Sequence, residues 1–187
     1  MGFHQSDWQV FDDRGVRKYL DSRERVRFLA AADRLDPRRR ALCYVLAYTG
    51  CRISEALELA PYRIDVDNRA LRFRTLKRRR LVFRLVPVPD FLISMLRALP
   101  GGAEDRYWRM HRSTAWRLIH AVMIHAQIAG PMATCKGLRH SFGILGASRN
   151  VLGPVIQRWM GHASLTTTAI YLDAVGAEER QFAKRMW

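Results

Sequence analysis

The sequence predicts a mainly helical α+β fold carrying one small antiparallel β-sheet. Three observations lead there. Apolar residues recur at helical spacing through most of the chain. One stretch, residues 71–88, changes to a period of two. With 187 residues and 49% apolar content, the chain is long enough to bury one core, so a single domain is expected.

Residues 1–20 mix charged and aromatic side chains without clear periodicity and read as an N-terminal extension, ordered in part by docking. Ser22 is placed to cap a first helix with Val26, Leu29 and Ala30 on one face. Asp36-Pro37 supplies the next cap with proline at the first helical position, opening a helix through Leu42, Val45 and Leu46. Thr49-Gly50-Cys51 interrupts that helix, and residues 54–59 resume it until Ala60-Pro61. Arg52 therefore falls at a break between helices.

From Tyr62 the period shortens. Leu71, Phe73 and Thr75 alternate with Arg72 and Arg74, and residues 81–88 form a second extended run. The turn between them, Lys77-Arg78-Arg79-Arg80, presents four positive charges, suited either to a DNA groove or simply to water. Helical patterning returns after Pro89. Pro100-Gly101-Gly102 reads as a loop, residues 113–128 as a longer helix ended by Gly130-Pro131, and residues 138–147, 154–160 and 165–171 as short helices. Residues 177–187 form a last amphipathic segment with Phe182 and Met186 on one face.

Composition narrows the partner class. Lys and Arg number 32 against 17 Asp and Glu, a net charge of +15, which favours a polyanion and makes nucleic acid the first candidate. A merely soluble basic surface, a ribosomal protein or a membrane-surface protein would share that charge. No apolar run approaches the roughly 18 to 20 residues that span a bilayer, the longest being residues 41–48, so no membrane partner is expected. The first six residues lack the basic and apolar regions of a secretion signal, and the Gly2 and Ser6 match to a lipidation pattern is too short to carry weight. Cys43, Cys51 and Cys135 are odd in number and form no CxxC pair, which argues against a disulfide framework or a structural zinc and for a reducing cytoplasm. Only four basic residues are lysines, Lys18, Lys77, Lys136 and Lys184. An arginine keeps its proton throughout the accessible pH range, whereas a lysine can give one up, so a lysine among arginines is a candidate proton donor.

Three local patterns carry chemistry: Thr49-Gly50-Cys51-Arg52-Ile53-Ser54-Glu55, Lys136-Gly137-Leu138-Arg139-His140-Ser141-Phe142, and the run from Gly161-His162 to Tyr171. Together they resemble the tyrosine recombinase, or phage integrase, family. Its signature is an arginine in TGxRxSE, a lysine in the following hairpin, H/K-x-x-R, and a GH followed nine residues later by tyrosine. The resemblance covers residues 22–175. Taken singly, Arg52 and Arg139 read as well as ion-pair partners, His162 as a core histidine and Tyr171 as packing. Three motifs in order, each with its neighbours, outweigh that reading.

The resemblance implies the tyrosine-recombinase catalytic fold over residues 21–187 and a site-specific recombinase that cuts and rejoins DNA through a 3′-phosphotyrosine at Tyr171. Arg52 and Arg139 suit this chemistry, because two guanidinium forks can hold the nonbridging oxygens of a phosphate whose negative charge spreads in the transition state. A phenol attacks poorly until its proton is removed. Lys77 becomes the acid that protonates the expelled 5′ oxygen, with Arg78, Arg79 and Arg80 lowering its proton affinity and gripping DNA. Lys136 stands where histidine is commoner and serves as a base or as a third phosphate clamp. His162 then bonds the phosphate or assists Tyr171. Glu55 orients neighbouring basic groups, and His140 supports Arg139 or the fold. No cofactor or metal is expected, since the covalent intermediate stores the energy of the cleaved bond; His120 and His125 share no ligand face.

Only about 20 residues precede these motifs in the sequence, so a catalytic domain without the family's usual N-terminal core-binding domain is expected, in a layout similar to that of the small invertases that switch fimbrial genes. An accessory DNA-binding protein is one expectation. A homo-tetramer assembled on double-stranded DNA, with residues 177–187 docking on the neighbouring subunit, is another. Two alternatives remain: a type IB topoisomerase using similar residues, and a catalytically inactive DNA-binding regulator descended from a recombinase.

Overall fold

The structure is a computed structural model, and it describes residues 9–75 and 82–162. Its elements run α1 (Ser22–Ala32), α2 (Pro37–Thr49), α3 (Ile53–Ala56), a single 3-10 turn (Pro61–Arg63), β1 (Ile64–Asp65), β2 (Ala70–Arg74), β3 (Phe83–Pro87), α4 (Asp90–Arg97), α5 (Arg112–His125), α6 (Cys135–Ser148) and α7 (Gly153–Met160). The mainly helical α+β class with one small antiparallel sheet is what the period analysis predicts. Among the described residues, no helix is long and apolar enough to cross a membrane.

α2 is the central element. Asp36 accepts hydrogen bonds from the backbone N–H of Arg38 and Arg39, both at 3.1 Å, and Pro37 occupies the first turn, where its missing N–H costs nothing. Ala41, Leu42, Cys43, Val45, Leu46 and Ala47 are all buried, because α1, α4 and α6 pack around the helix. α2 stops at Gly50, whose φ of 58° is left-handed. A β-carbon at Gly50 would also lie 2.6 Å from the Phe142 ring, so this stop needs glycine twice over.

α1 corrects two sequence expectations. Its cap is Asp21 rather than Ser22: the Asp21 side chain accepts from the N–H of Glu24, and the Glu24 side chain accepts from the N–H of Asp21. Its buried stripe is Glu24, Phe28 and Ala32 rather than Val26, Leu29 and Ala30, and Val26 is 65% exposed. Glu24 can turn inward because Arg17 meets it with two guanidinium nitrogens, at 2.5 and 2.8 Å. A carboxylate with that partner can occupy a face that apolar periodicity alone assigns elsewhere.

Arg17 belongs to a strap, residues 9–20, which folds back through a bridge between Phe11 and Arg17. Val10 and Tyr19 are buried against Ile144, Ala147, Ile156 and Met160 of α6 and α7. The N–H of Leu20 donates to Ser141 Oγ at 2.7 Å, fastening the strap to α6.

The sheet has the order β1-β2-β3, antiparallel throughout, with Leu71 opposite Val86 and Phe73 opposite Arg84. Leu71, Phe73 and Thr75 are buried, as the alternation predicts. The turn with Lys77, Arg78, Arg79 and Arg80 lies outside the described residues, as do Tyr171 and the segments 165–171 and 177–187. α5 ends at His125, short of the expected residue 128, because Gln127 takes a left-handed φ of 55° before Gly130-Pro131 is reached.

α6 opens at Thr134, whose Oγ1 accepts from the N–H of Gly137 at 3.0 Å. A β-carbon at Gly137 would sit 2.0 Å from the Met132 carbonyl oxygen. That oxygen is main chain and cannot rotate away. Gly137→Ala is therefore expected to lower the stability of the fold by about 1–3 kcal/mol or more, as overpacking does. A urea titration checks it, and an unchanged midpoint would contradict the close approach.

Candidate active site

The site forms where α2 and α7 end. Each helix stops at a left-handed glycine, Gly50 with φ 58° and Gly161 with φ 66°. Arg139, in the second turn of α6, joins the two stops: its Nη1 donates to the Gly50 carbonyl at 2.6 Å and its Nη2 to the Met160 carbonyl at 2.8 Å. The last carbonyls of a helix lack intrahelical partners and carry the negative end of its dipole, so they suit a buried cation. Arg139 is 7% exposed, and the two carbonyl bonds fix its guanidinium plane.

Arg52 follows the Gly50 stop in extended conformation and precedes α3. Its N–H donates to one oxygen of Glu55 at 2.8 Å and its Nη1 to the other at 3.0 Å. The Arg52 side chain stays 22% exposed, whereas the Glu55 side chain is fully buried. On its other flank Glu55 meets Arg84 of β3, with Nη2 at 2.6 Å and Nη1 at 3.3 Å. Burial pushes the Glu55 carboxyl upward, but the hydrogen bond and charge of Arg84, joined by Arg52, outweigh it and hold the group below the usual carboxylate range.

Arg84 is a residue that the motif reading passes over. It also donates through Nε to the Trp159 carbonyl at 2.8 Å, so the end of α7 holds Arg84 and Arg139 side by side. A signal was present: in the run 81–88, residue 84 shares the inward register of Val86 and Val88, an odd place for an unpartnered arginine.

His162 follows Gly161 and is 4% exposed; its N–H donates to the Gln157 carbonyl at 3.1 Å. Burial, then the charges of Arg139 and Arg52, with smaller effects from His140 and Arg84, push its imidazole down to about 3. His140, one residue beyond Arg139 and 2% exposed, is also pushed to about 3 by burial, then by Lys136, Arg139 and Lys18. Both rings are therefore neutral near pH 7. Lys136 is exposed at the first turn of α6.

The structure thus brings Arg52, Glu55, Arg139, His140 and His162 together, with Lys136 at the rim. Thr75, Val82, Arg84, Gln157, Gly161 and His162 line an adjoining open cleft of about 270 Å³. One buried carboxylate stands against three arginines, which leaves the centre cationic and suited to an anion.

The model of the phage integrase family matches residues 18–177, and the chain belongs to that family. It is 29% identical over 167 residues to tyrosine recombinase XerA of Thermococcus kodakarensis, covering 84% of this chain and 58% of that protein. It is 35% identical over 157 residues to tyrosine recombinase XerD of Mycobacterium leprae, covering 72% and 47%. A crystal structure of XerA recombinase superposes with a TM-score of 0.77 at 27% identity, over 90% of this chain and 64% of that one. The chain spans about half the length of the curated relatives it matches.

Two predictions follow from the charges. Glu55→Gln leaves Arg84 buried without its anion and is expected to cost about 3–5 kcal/mol in a denaturant titration; a loss under about 1 kcal/mol would mean that the carbonyl bonds alone hold Arg84. His140 and His162 titrate near 6.5 when unfolded and near 3 when folded, so between those values the unfolded chain binds more protons. Stability is then fully present above about pH 7 and falls as the pH drops through 6.5 toward 3. Urea midpoints measured from pH 7.5 to 5 should decline, and the decline should shrink in His162→Gln.

Proposed function

We propose that this chain is the catalytic domain, residues 21–187, of a site-specific DNA recombinase that cuts and rejoins duplex DNA through a 3′-phosphotyrosine at Tyr171, without ATP or metal. The observation that carries the reading is the double carbonyl bond of Arg139. It draws the first and third motifs onto the second, so that Arg52 and His162 share one cationic centre.

In this reading Arg52 and Arg139 hold the nonbridging oxygens of the scissile phosphate and stabilise the charge that develops on them. Glu55 positions Arg52 and Arg84. His162, neutral beforehand, gains proton affinity once the phosphate offsets the surrounding cations, and it then bonds the phosphate or takes the Tyr171 proton. Lys136, exposed at the rim, clamps the phosphate. Lys77 protonates the departing 5′ oxygen while Arg78, Arg79 and Arg80 grip the duplex. The phosphotyrosine conserves the bond energy, so a 5′ hydroxyl can reverse the step. Assembly is by a homo-tetramer on DNA through residues 177–187, with an accessory DNA-binding protein supplying further site affinity.

The test is a suicide substrate, a duplex carrying the natural site and nicked so that the short cleaved strand diffuses away. Wild type is expected to give a denaturant-resistant protein–DNA adduct, and Tyr171→Phe none. Tight binding of that site with no adduct from wild type would replace this reading with a DNA-binding regulator.

A further inference from the structure

Arg84 is a buried cation that the reaction above leaves without a task. Its guanidinium is enclosed by protein groups. Nε donates to the Trp159 carbonyl at 2.8 Å, Nη2 to Glu55 Oε2 at 2.6 Å, and Nη1 to Glu55 Oε1 and Thr75 Oγ1, both at 3.3 Å. The guanidinium carbon lies 5.2 Å from the centre of the Phe73 ring. A β-carbon at Gly161 would come within 3.1 Å of that carbon, so the turn leading to His162 closes directly onto Arg84. With its side chain 4% exposed, Arg84 directs these donors into the protein.

Glu55 is shared between two arginines. Its Oε1 lies 3.0 Å from Arg52 Nη1 and 3.3 Å from Arg84 Nη1, and its Oε2 accepts from the Arg52 N–H at 2.8 Å and from Arg84 Nη2 at 2.6 Å. One negative charge thus faces two positive ones. Arg84 neutralises it from the buried side, and Arg52, 22% exposed, keeps a surplus that an incoming phosphate can meet. Without Arg84 the same carboxylate belongs to Arg52 alone. That pair is neutral, its fork is drawn back onto Glu55, and its attraction for an anion falls. Stability supplies no comparable reason for the Arg84–Glu55 pair, because a buried ion pair commonly adds little over apolar side chains of the same shape.

We propose that Arg84 is a positioning residue of the cleavage reaction: by neutralising Glu55 and fixing the plane of its carboxylate, it leaves the Arg52 fork charged and aimed at the scissile phosphate. This role rests on the DNA-cleaving reading above. Arg84 acts through Glu55 and Arg52 and itself touches no DNA. A planar guanidinium suits the task, since it bonds both carboxylate oxygens and the Trp159 carbonyl at once. That carbonyl stands three residues before His162, so one side chain sets Arg52 against the His162 side of the centre.

The experiment follows single-turnover adduct formation on two suicide duplexes carrying the natural site, one with the ordinary scissile phosphodiester and one with a methylphosphonate there. In the second, a methyl group replaces a nonbridging oxygen and removes the negative charge that Arg52 meets. Arg84→Gln is expected to slow the phosphodiester reaction roughly 100-fold and the methylphosphonate reaction at least about tenfold less than that, with duplex affinity within about threefold of wild type. Similar losses on both substrates, or a loss of affinity in place of rate, overturn the proposal, because a loosened fold affects both substrates alike. Glu55→Gln/Arg84→Gln removes the pair together, which is milder for folding than removing one partner. It returns to Arg52 its full charge and is expected to react with the phosphodiester within about tenfold of wild type. A larger loss overturns the proposal, and this comparison decides alone if the single variant does not fold. Wild type that binds the duplex but forms no adduct sinks the cleavage reading and this role with it; a wild-type adduct with an unselective loss in Arg84→Gln sinks only the role of Arg84.

Discussion

A guanidinium taken out of water must keep its hydrogen bonds, and the architecture of this site answers to that requirement for Arg84 and Arg139. Both are nearly buried, and both are solvated by the last carbonyls of α7, Trp159 for Arg84 and Met160 for Arg139. Arg139 takes a second carbonyl from Gly50 at the end of α2. These oxygens are available because left-handed glycines stop the helices there and leave their final C=O groups unpaired along the helix. The dependence is mutual: helix ends satisfy the arginines, and the arginines fix how three helices and a strand meet. Arg52 sits two residues past one stop and His162 one residue past the other, so their positions follow from the same contacts.

The residues legible in the sequence are those attached to such breaks. Gly50 and Gly161 punctuate helical patterns, and the candidate site residues Arg52 and His162 stand beside them, where motif and local structure coincide. The β2 alternation was legible for a similar reason, since Leu71, Phe73 and Thr75 need only the period of two to find the core. Arg84 was harder to see. Its inward register is in the sequence, but the partners that make it tolerable, Glu55 and the Trp159 carbonyl, come from distant segments. Glu24 hid the true face of α1 in the same way, because Arg17 arrives from the strap. In each case a polar residue occupies a core-facing position through a partner that no local window contains. The end of α5 belongs with these, for the left-handed turn at Gln127 carries none of the usual glycine signal.

The same burial decides how the site treats protons. His162 is surrounded by cations whose charges, added to its burial, keep it neutral. A neutral imidazole in that setting is a weak proton acceptor. In the proposed reaction a phosphodiester would bring one negative charge into the field of Arg52 and Arg139, and that charge would cancel part of what suppresses His162. Lys136 and Lys18 act on His140 in the same sense. In the form of the proposed reaction in which His162 takes the Tyr171 proton, proton affinity in this centre would be coupled to occupancy: the acceptor would become competent when the phosphate is in place. In that proposed reaction a phenol that attacks only when its proton has somewhere to go would be restrained until the phosphate is bound, which would guard the centre against idle chemistry without requiring any moving part.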